Sequence, residues 1–448
     1  MKKFLALLLA SVMLIGCFGT VALADEKPKL SIMYAVDKVA YTSEDWILHA
    51  YEHWDKKDQV ELELLPQTSS HTEMFTKADL MMQSSDTTPD IYIDDSFQAV
   101  SDAAAGYLMD MSEALSNWDT WTNGSFPEAT KNMFHGENGG VYGIPYCTDC
   151  RGLWANTEIL AQAGLPDDWQ PTTWQELLDA LRQIKQNVPD VIPFWYRPIA
   201  NTEGTVVNTT LMLLMGTADG LYDWENGKWN ATSQGLLDTF TFLATTMEEG
   251  LCGSPAEMVS TNSDSYGFQH MSEGNLAIQL AGNYIANGQF AKGSSFEWEG
   301  YENKLRFIKM PTQYGDNEGF ISMSGGWGLV VPEKSTQKEL AIEFCKAMMD
   351  DTEGLCSKLV AEGSLSCRDL SSASNYTEYT NVPFKEVATS FMQWSQFRPQ
   401  IGTYSQVSSL LAATVETVVT GTSPEEAMNN FANDLENALG ADAIQRKI

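Results

Sequence analysis

The sequence predicts an α/β fold with mostly parallel sheets flanked by helices. Three observations lead there. Strand-like and helix-like segments alternate along the chain with no internal repeat and no low-complexity linker, the order that lays helices onto parallel sheets. Of the 448 residues, 43% are hydrophobic and 19% charged, the content of a well-packed globular protein. A chain of this length divides into roughly two or three domains.

The chain opens on basic Met1-Lys2-Lys3 and an apolar run from Phe4 to Ile15. This is a secretory signal, too short to span a bilayer. Two processing patterns follow and exclude each other. Leu14-Ile15-Gly16-Cys17 is a lipoprotein box, with residues 1–16 removed and a lipid attached to Cys17. Ala22-Leu23-Ala24 is an ordinary signal-peptidase site, with residues 1–24 removed and a soluble protein starting at Asp25. Either route predicts an extracytoplasmic protein, and no later stretch is apolar enough for a membrane helix.

Next comes a β run from Lys29 to Val36. Trp46, Ile47, Ala50, Tyr51 and Trp54 recur at helical spacing. Glu61-Leu62-Glu63-Leu64 alternates with period two and ends at Pro66, a half-buried strand. Asp90-Ile91-Tyr92-Ile93 is a further strand, stopping at Asp94-Asp95. Thr173 with Glu176, and Thr336 with Glu339, form capping boxes ahead of apolar stripes. Ser423-Pro424-Glu425-Glu426 starts a last helix whose stripe is Ala427, Phe431, Leu435 and Leu439. These stripes are core-facing surfaces. Asp223 to Trp229 reads as a hairpin turning at Asn226-Gly227.

A net charge of −33 from 60 acidic and 27 basic residues repels nucleic acid and anionic lipid. Neither is expected as a partner, and a lipid on Cys17 is the one foreseen membrane attachment. Six cysteines besides Cys17 are too sparse for a disulfide scaffold. Cys147-Thr148-Asp149-Cys150 has metal or redox spacing but lacks a second pair, so free thiols or a local disulfide are expected. His49-Ala50-Tyr51-Glu52-His53 fits the H-x-x-E-H pattern of zinc proteases. Wound at about 100° per residue, its polar residues fall opposite the Trp46–Trp54 stripe, on the solvated face, with no third ligand in view. Paired carboxylates carry no glycosidase signal in so acidic a chain. No nucleophile elbow, P-loop or dinucleotide fingerprint occurs. No catalytic residue, metal or cofactor is therefore assigned.

Aromatic residues suggest binding. Several of the thirteen Trp and sixteen Tyr sit at strand ends or turns: Tyr146, Trp195-Tyr196, Tyr284 and Trp327. Sugar rings stack apolar C–H faces on aromatic planes, and their hydroxyls need planar polar partners. A cleft at strand ends supplies both.

The order of segments resembles the extracellular solute-binding proteins of ABC importers, of the maltose- and oligosaccharide-binding type, over nearly the whole chain. Pro89 to Asp95 followed by Ala105-Gly106-Tyr107-Leu108 is similar to the family's first-lobe strand and helix. Gly140 to Tyr146 resembles its "YGIPY" crossover. Trp154 to Leu160, Ala163 to Pro166 and Pro171 to Trp174 resemble "YNKDLF…AGL…PxTW". Ser272 to Ile278 with Gly282-Asn283-Tyr284 is similar to "xxGxAAMxxxGxW", with Tyr284 for the usual Trp, and Gly325 to Leu329 resembles a later crossover strand.

The resemblance implies the two-lobe, type II periplasmic-binding-protein fold with a ligand cleft between the lobes. The first lobe would hold residues 25–148 and 313–353, and the second 149–312 and 354–448. It implies a monomer that captures a carbohydrate, an oligosaccharide for preference, and passes it to transporter membrane subunits. Ligand contacts would fall on Asp94, Asp95, Tyr146, Arg151, Trp195, Tyr196, Asn283, Tyr284, Trp327, Arg398 and Tyr404. The acidic pair Asp94-Asp95 would also suit a polyamine, and Arg151 with Arg398 an anion; a peptide ligand stays open as well. A capture protein must stay near its importer, which favours the Cys17 route in a cell with a single membrane.

Overall fold

The computed structural model describes residues 27–200 and 202–448; the signal segment and Cys17 lie outside them. Its first sheet has six strands, in the order Leu365–Ser366, Ile144–Thr148, Gly326–Val330, Ile91–Asp95, Lys29–Ala35 and Glu61–Gln67. Lys29–Ala35 runs parallel to both of its neighbours. The pairings of Gly326–Val330 and of Leu365–Ser366 are antiparallel. The second sheet orders Leu305–Ile308, Arg151–Asn156, Leu276–Gly282 and Ile192–Trp195, and its one parallel pairing joins the last two. The expectation of mostly parallel sheets is thus corrected: both are mixed. The chain leaves the first sheet along Ile144–Thr148 and re-enters it along Gly326–Val330, so those strands must oppose each other.

Local signals account for most elements. Helix Ser43–His53 starts on a capping box, Thr42 with Asp45, and buries Trp46, Ile47 and Ala50. The strand at residue 61 runs on through Pro66 to Gln67; it lies at the sheet edge, where a missing N–H breaks no ladder. Helix Trp174–Asn187 is capped by Thr173, and Pro424–Leu439 by Ser423 with Pro at its first position. Thr336 is not a cap. The helix begins at Lys338, one residue later than such a cap would give, with Gln337 as its N-cap; Ser335 Oγ donates to the Asp90 carboxylate and accepts the N–H of Gln337, which fixes the entry.

Three cores follow from the sheets, one of them, with Met33, Phe75, Tyr92 and Val330, on the far face of the first sheet. Tyr34, Trp46, Ile93, Ile144, Leu329, Phe344 and Leu355 belong to the first, and Trp154, Leu181, Phe194, Ile278, Phe307, Leu411 and Phe431 to the second. Leu359, Leu370 and Tyr379 also pack into the first core, and Leu365–Ser366 is an edge strand of its sheet. The boundary expected at Glu353 is therefore corrected to a place beyond Tyr379, before Ala388 and Phe391 join the second core. The return expected near residue 312 falls at Gly325 instead: Ile321 and Met323 pack in the second core, Leu329 in the first.

Candidate functional site

The lobes are joined where these crossings converge. Thr148 Oγ1 donates to the carbonyl of Gly325 at 2.8 Å, and Gly325 N–H to Asp149 Oδ1 at 2.7 Å. Ser324 Oγ reaches the carbonyl of Asp149 at 2.7 Å and also contacts Ser395 Oγ. Strand Ser395–Phe397 lies parallel to Phe320–Ser324, so the third crossing is registered on the second.

Beside this junction lies a cavity of about 970 Å³. Its first-lobe wall is aromatic. Trp327 stacks over Phe75 with ring centroids 6.1 Å apart and planes at 27°, while His71 meets it at 4.9 Å. Phe75 meets Phe97 edge-on at 5.3 Å. A bulge between Trp327 and Gly328 shifts the register there, the usual device for re-aiming a side chain. His71 and Phe75 come from helix His71–Met82, which starts on the capping box Ser70 with Glu73. Desolvation inside the cleft lowers the His71 pKa, against the opposing charge of Asp95.

Three arginines line the remaining walls, each matched by a carboxylate. Arg151 pairs with Asp149 and donates from Nε to Asn208 at 2.7 Å. Asn208 sits in a π-helical turn, Val206–Thr210, a distortion frequent at functional sites. Arg197 pairs with Asp264 at 3.0 Å. Arg398 spans the lobes: Nη2 donates to Asp95 Oδ1 at 2.9 Å and to Ser96 Oγ at 3.1 Å, and Nη1 to Glu203 Oε1 at 3.2 Å. Desolvation raises the Glu203 pKa, with Arg398 as the main opposing influence. Arg398 is itself desolvated, yet Asp95 and Glu203 hold its pKa above the ordinary arginine value.

Four polar atoms of lining residues are sealed from the cavity with no protein partner: Trp195 Nε1, Arg197 Nε, Gln279 Oε1 and Glu362 Oε2. Two can donate and two can accept.

Of the residues singled out in the sequence, Asp95, Arg151, Trp195, Tyr196, Tyr284, Trp327 and Arg398 line the cavity. Asp94, Tyr146, Asn283 and Tyr404 do not, and each has a structural task. Asp94 is fully buried in its strand and accepts the N–H of Asp95 at 2.9 Å. Tyr146 packs on Trp46 at 5.0 Å and hydrogen-bonds Glu362 from behind. Asn283 Oδ1 accepts from Cys150 N–H, and its Nδ2 donates to the carbonyl of Gly363, both at 2.8 Å. Tyr404 supports Glu203 from below through its hydroxyl at 2.7 Å.

His71, Phe75, Phe97, Arg197, Glu203 and Asp264 also line the cavity without having been singled out. Ser70-x-x-Glu73 was a readable helix start that could have located the first two. Among the described residues all six cysteines are free, and Cys147 and Cys150 belong to different cores.

Comparison with known proteins bears on this geometry. The family model described as bacterial extracellular solute-binding protein matches residues 42–353. The lactose-binding protein of Rhizobium radiobacter is 23% identical over 207 residues, 46% of this chain and 44% of that one. The chain thus spans less than half the length of this curated relative. The maltose-bound MalE3 of T. maritima superposes with a TM-score of 0.76 at 20% identity, covering 92% of this chain and 100% of its own. A substrate-binding protein of Listeria monocytogenes in complex with cycloalternan gives 0.72 at 13% identity, covering 93% and 100%. At such identities the likeness establishes the fold, the type II two-lobe arrangement.

Proposed function

Because the chain belongs to the bacterial extracellular solute-binding proteins, we propose that its cleft captures a carbohydrate, an oligosaccharide for preference, and delivers it to the membrane subunits of an ABC importer. The observation that carries this reading is a cavity with an aromatic wall of Trp327 and Phe75 opposite arginine–carboxylate pairs. The guanidiniums and carboxylates set donors and acceptors side by side, which suits hydroxyls, since each hydroxyl does both. Each lining arginine is already matched by a carboxylate, which suits a neutral ligand better than an anion. The volume, about 970 Å³, lies at the upper end of the roughly 300–1,000 Å³ of small-molecule pockets and leaves room for more than one sugar ring.

Trp327 and Tyr284 would stack on sugar rings. Asp95, Arg151, Trp195, Tyr196 and Arg398 would meet hydroxyls or pack the rings from the side. Ligand touching both lobes favours the closed state by its differential affinity. The protein would act as a monomer without a catalytic step, and lipid attachment at Cys17 would keep it near the importer. The lactose-binding relative and the maltose-bound structural neighbour support the same ligand class.

The test is a thermal-shift screen with mono- and oligosaccharides, spermidine and short peptides, followed by calorimetry. At least one oligosaccharide should raise the melting temperature by several degrees and saturate at one per chain. A shift with spermidine or peptide and none with any sugar would overturn the carbohydrate reading.

A further inference from the structure

Away from the cleft, the two histidines of the H-x-x-E-H stretch acquire a neighbour that their sequence does not show. Helix Ser43–His53 carries His49 and His53 one turn apart on one face, with ring centroids 4.4 Å apart. Asp351, at the N-cap of helix Thr352–Glu362, meets them from the other side. One coordinating atom from each of the three lies within 4.8 Å of the others.

Hydrogen bonding decides which atoms are free. His49 Nδ1 lies 2.7 Å from Asp351 Oδ2, and His53 Nδ1 lies 2.8 Å from the carbonyl of His49. Carboxylates and carbonyls only accept, so both rings carry their proton on Nδ1. A neutral ring of that tautomer presents a bare Nε2 lone pair, the form in which histidine binds metal, with the second nitrogen held by a carboxylate or carbonyl. Asp351 is itself fixed, because its Oδ1 accepts the N–H of Gly354 at 3.2 Å. Gly354 has to be glycine for this approach: a Cβ there would collide with Asp351 Oδ2 and sit 2.9 Å from His49 Nδ1.

We propose that His49 and His53 bind a divalent transition-metal ion of the zinc class through their Nε2 atoms. Asp351 orients His49, and water completes the shell. Zinc–nitrogen bonds of about 2.0–2.1 Å call for His53 to adjust, and its exposed side chain has room to do so. Glu52 is turned to Lys57 at 3.0 Å, away from the role of general base that the H-x-x-E-H pattern would give it. Because the two imidazoles are held in place only in the folded chain, the ion stabilises that state through linkage.

The test uses the full chain without a histidine tag, freed of metal by chelator and dialysis, and titrated with Zn²⁺ by calorimetry. One ion should bind per chain and raise the melting temperature. His53→Ala, at an exposed position, should lose that binding and that rise. Asp351→Asn keeps a capping side chain and should weaken Zn²⁺ about tenfold or more, as loss of an orienting partner does. Absence of saturable Zn²⁺ binding to the native chain, or native-like binding by His53→Ala, overturns the site. Native-like binding by Asp351→Asn overturns the role given to Asp351.

Discussion

Replacing Arg398 with Met removes the one guanidinium that touches Asp95 and Glu203 together, while keeping a long apolar side chain in its place. The Arg398 side chain is 5% exposed, and those of its partners 15% and 9%. The substitution leaves two carboxylates in low dielectric with no cation, whereas Tyr404 and Ser408 still donate to Glu203. Breaking a buried ion pair from one side costs about 3–5 kcal/mol. Unfolding entropy of roughly 2.1 cal/mol/K per residue sums to about 0.9 kcal/mol/K over ~420 residues, so the melting temperature should fall by about 3–6 °C if the lobes unfold together. Differential scanning calorimetry of the unliganded protein measures this directly. The drop should persist at about 0.5 M salt, since so buried a pair is poorly screened. Adding Glu203→Gln to Arg398→Met should recover part of the loss, because it removes one stranded charge. A melting temperature within about 1 °C of the native protein's would refute the view that this bridge holds the lobes together.

Other outcomes follow from the same geometry. Trp327→Ala removes the centre of the aromatic wall and should weaken the sugar found by screening by about 2 kcal/mol, roughly thirtyfold, in calorimetry; unchanged affinity places the ligand elsewhere. Gly325→Ala puts a Cβ into collision with Arg398 Nη2 and 3.6 Å from Arg151 Nη2. It should destabilise by about 1–3 kcal/mol in denaturant titration, and a neutral effect would mean that the crossing yields easily. Asp94→Asn tests a buried acid. Burial, with the charges of Asp102 and Asp95, pushes the Asp94 carboxyl well above its usual range. A folded pKa above the unfolded one gives stability that is full below about pH 4 and is lost as pH rises through the folded value. Asparagine removes that loss, so the variant should melt at or above the native temperature at pH 7, and the gap should close towards pH 4. A variant less stable at pH 7 by the same margin as at pH 4 contradicts the sign.

The sequence by itself determined the elements and their order. Thr42, Thr173, Asn156 and Ser423 cap helices through bonds made within three residues. The alternation from Glu61 and the apolar stripes announce their faces with periods of two and 3.6. Such signals are local, so one chain suffices to read them, and the resemblance of Gly140 to Tyr146 to a known crossover carried the two-lobe arrangement. Only the tertiary structure decided which residues meet. Asp351 and His49 are 302 positions apart, as are Arg398 and Ser96. Nothing in either neighbourhood marks its partner, because the contact is set by how two sheets and their helices pack. The same holds for Asp94 and Asp95. Adjacent residues on a strand point to opposite faces, so one carboxylate is sealed in the sheet while the other faces the cleft and holds Arg398.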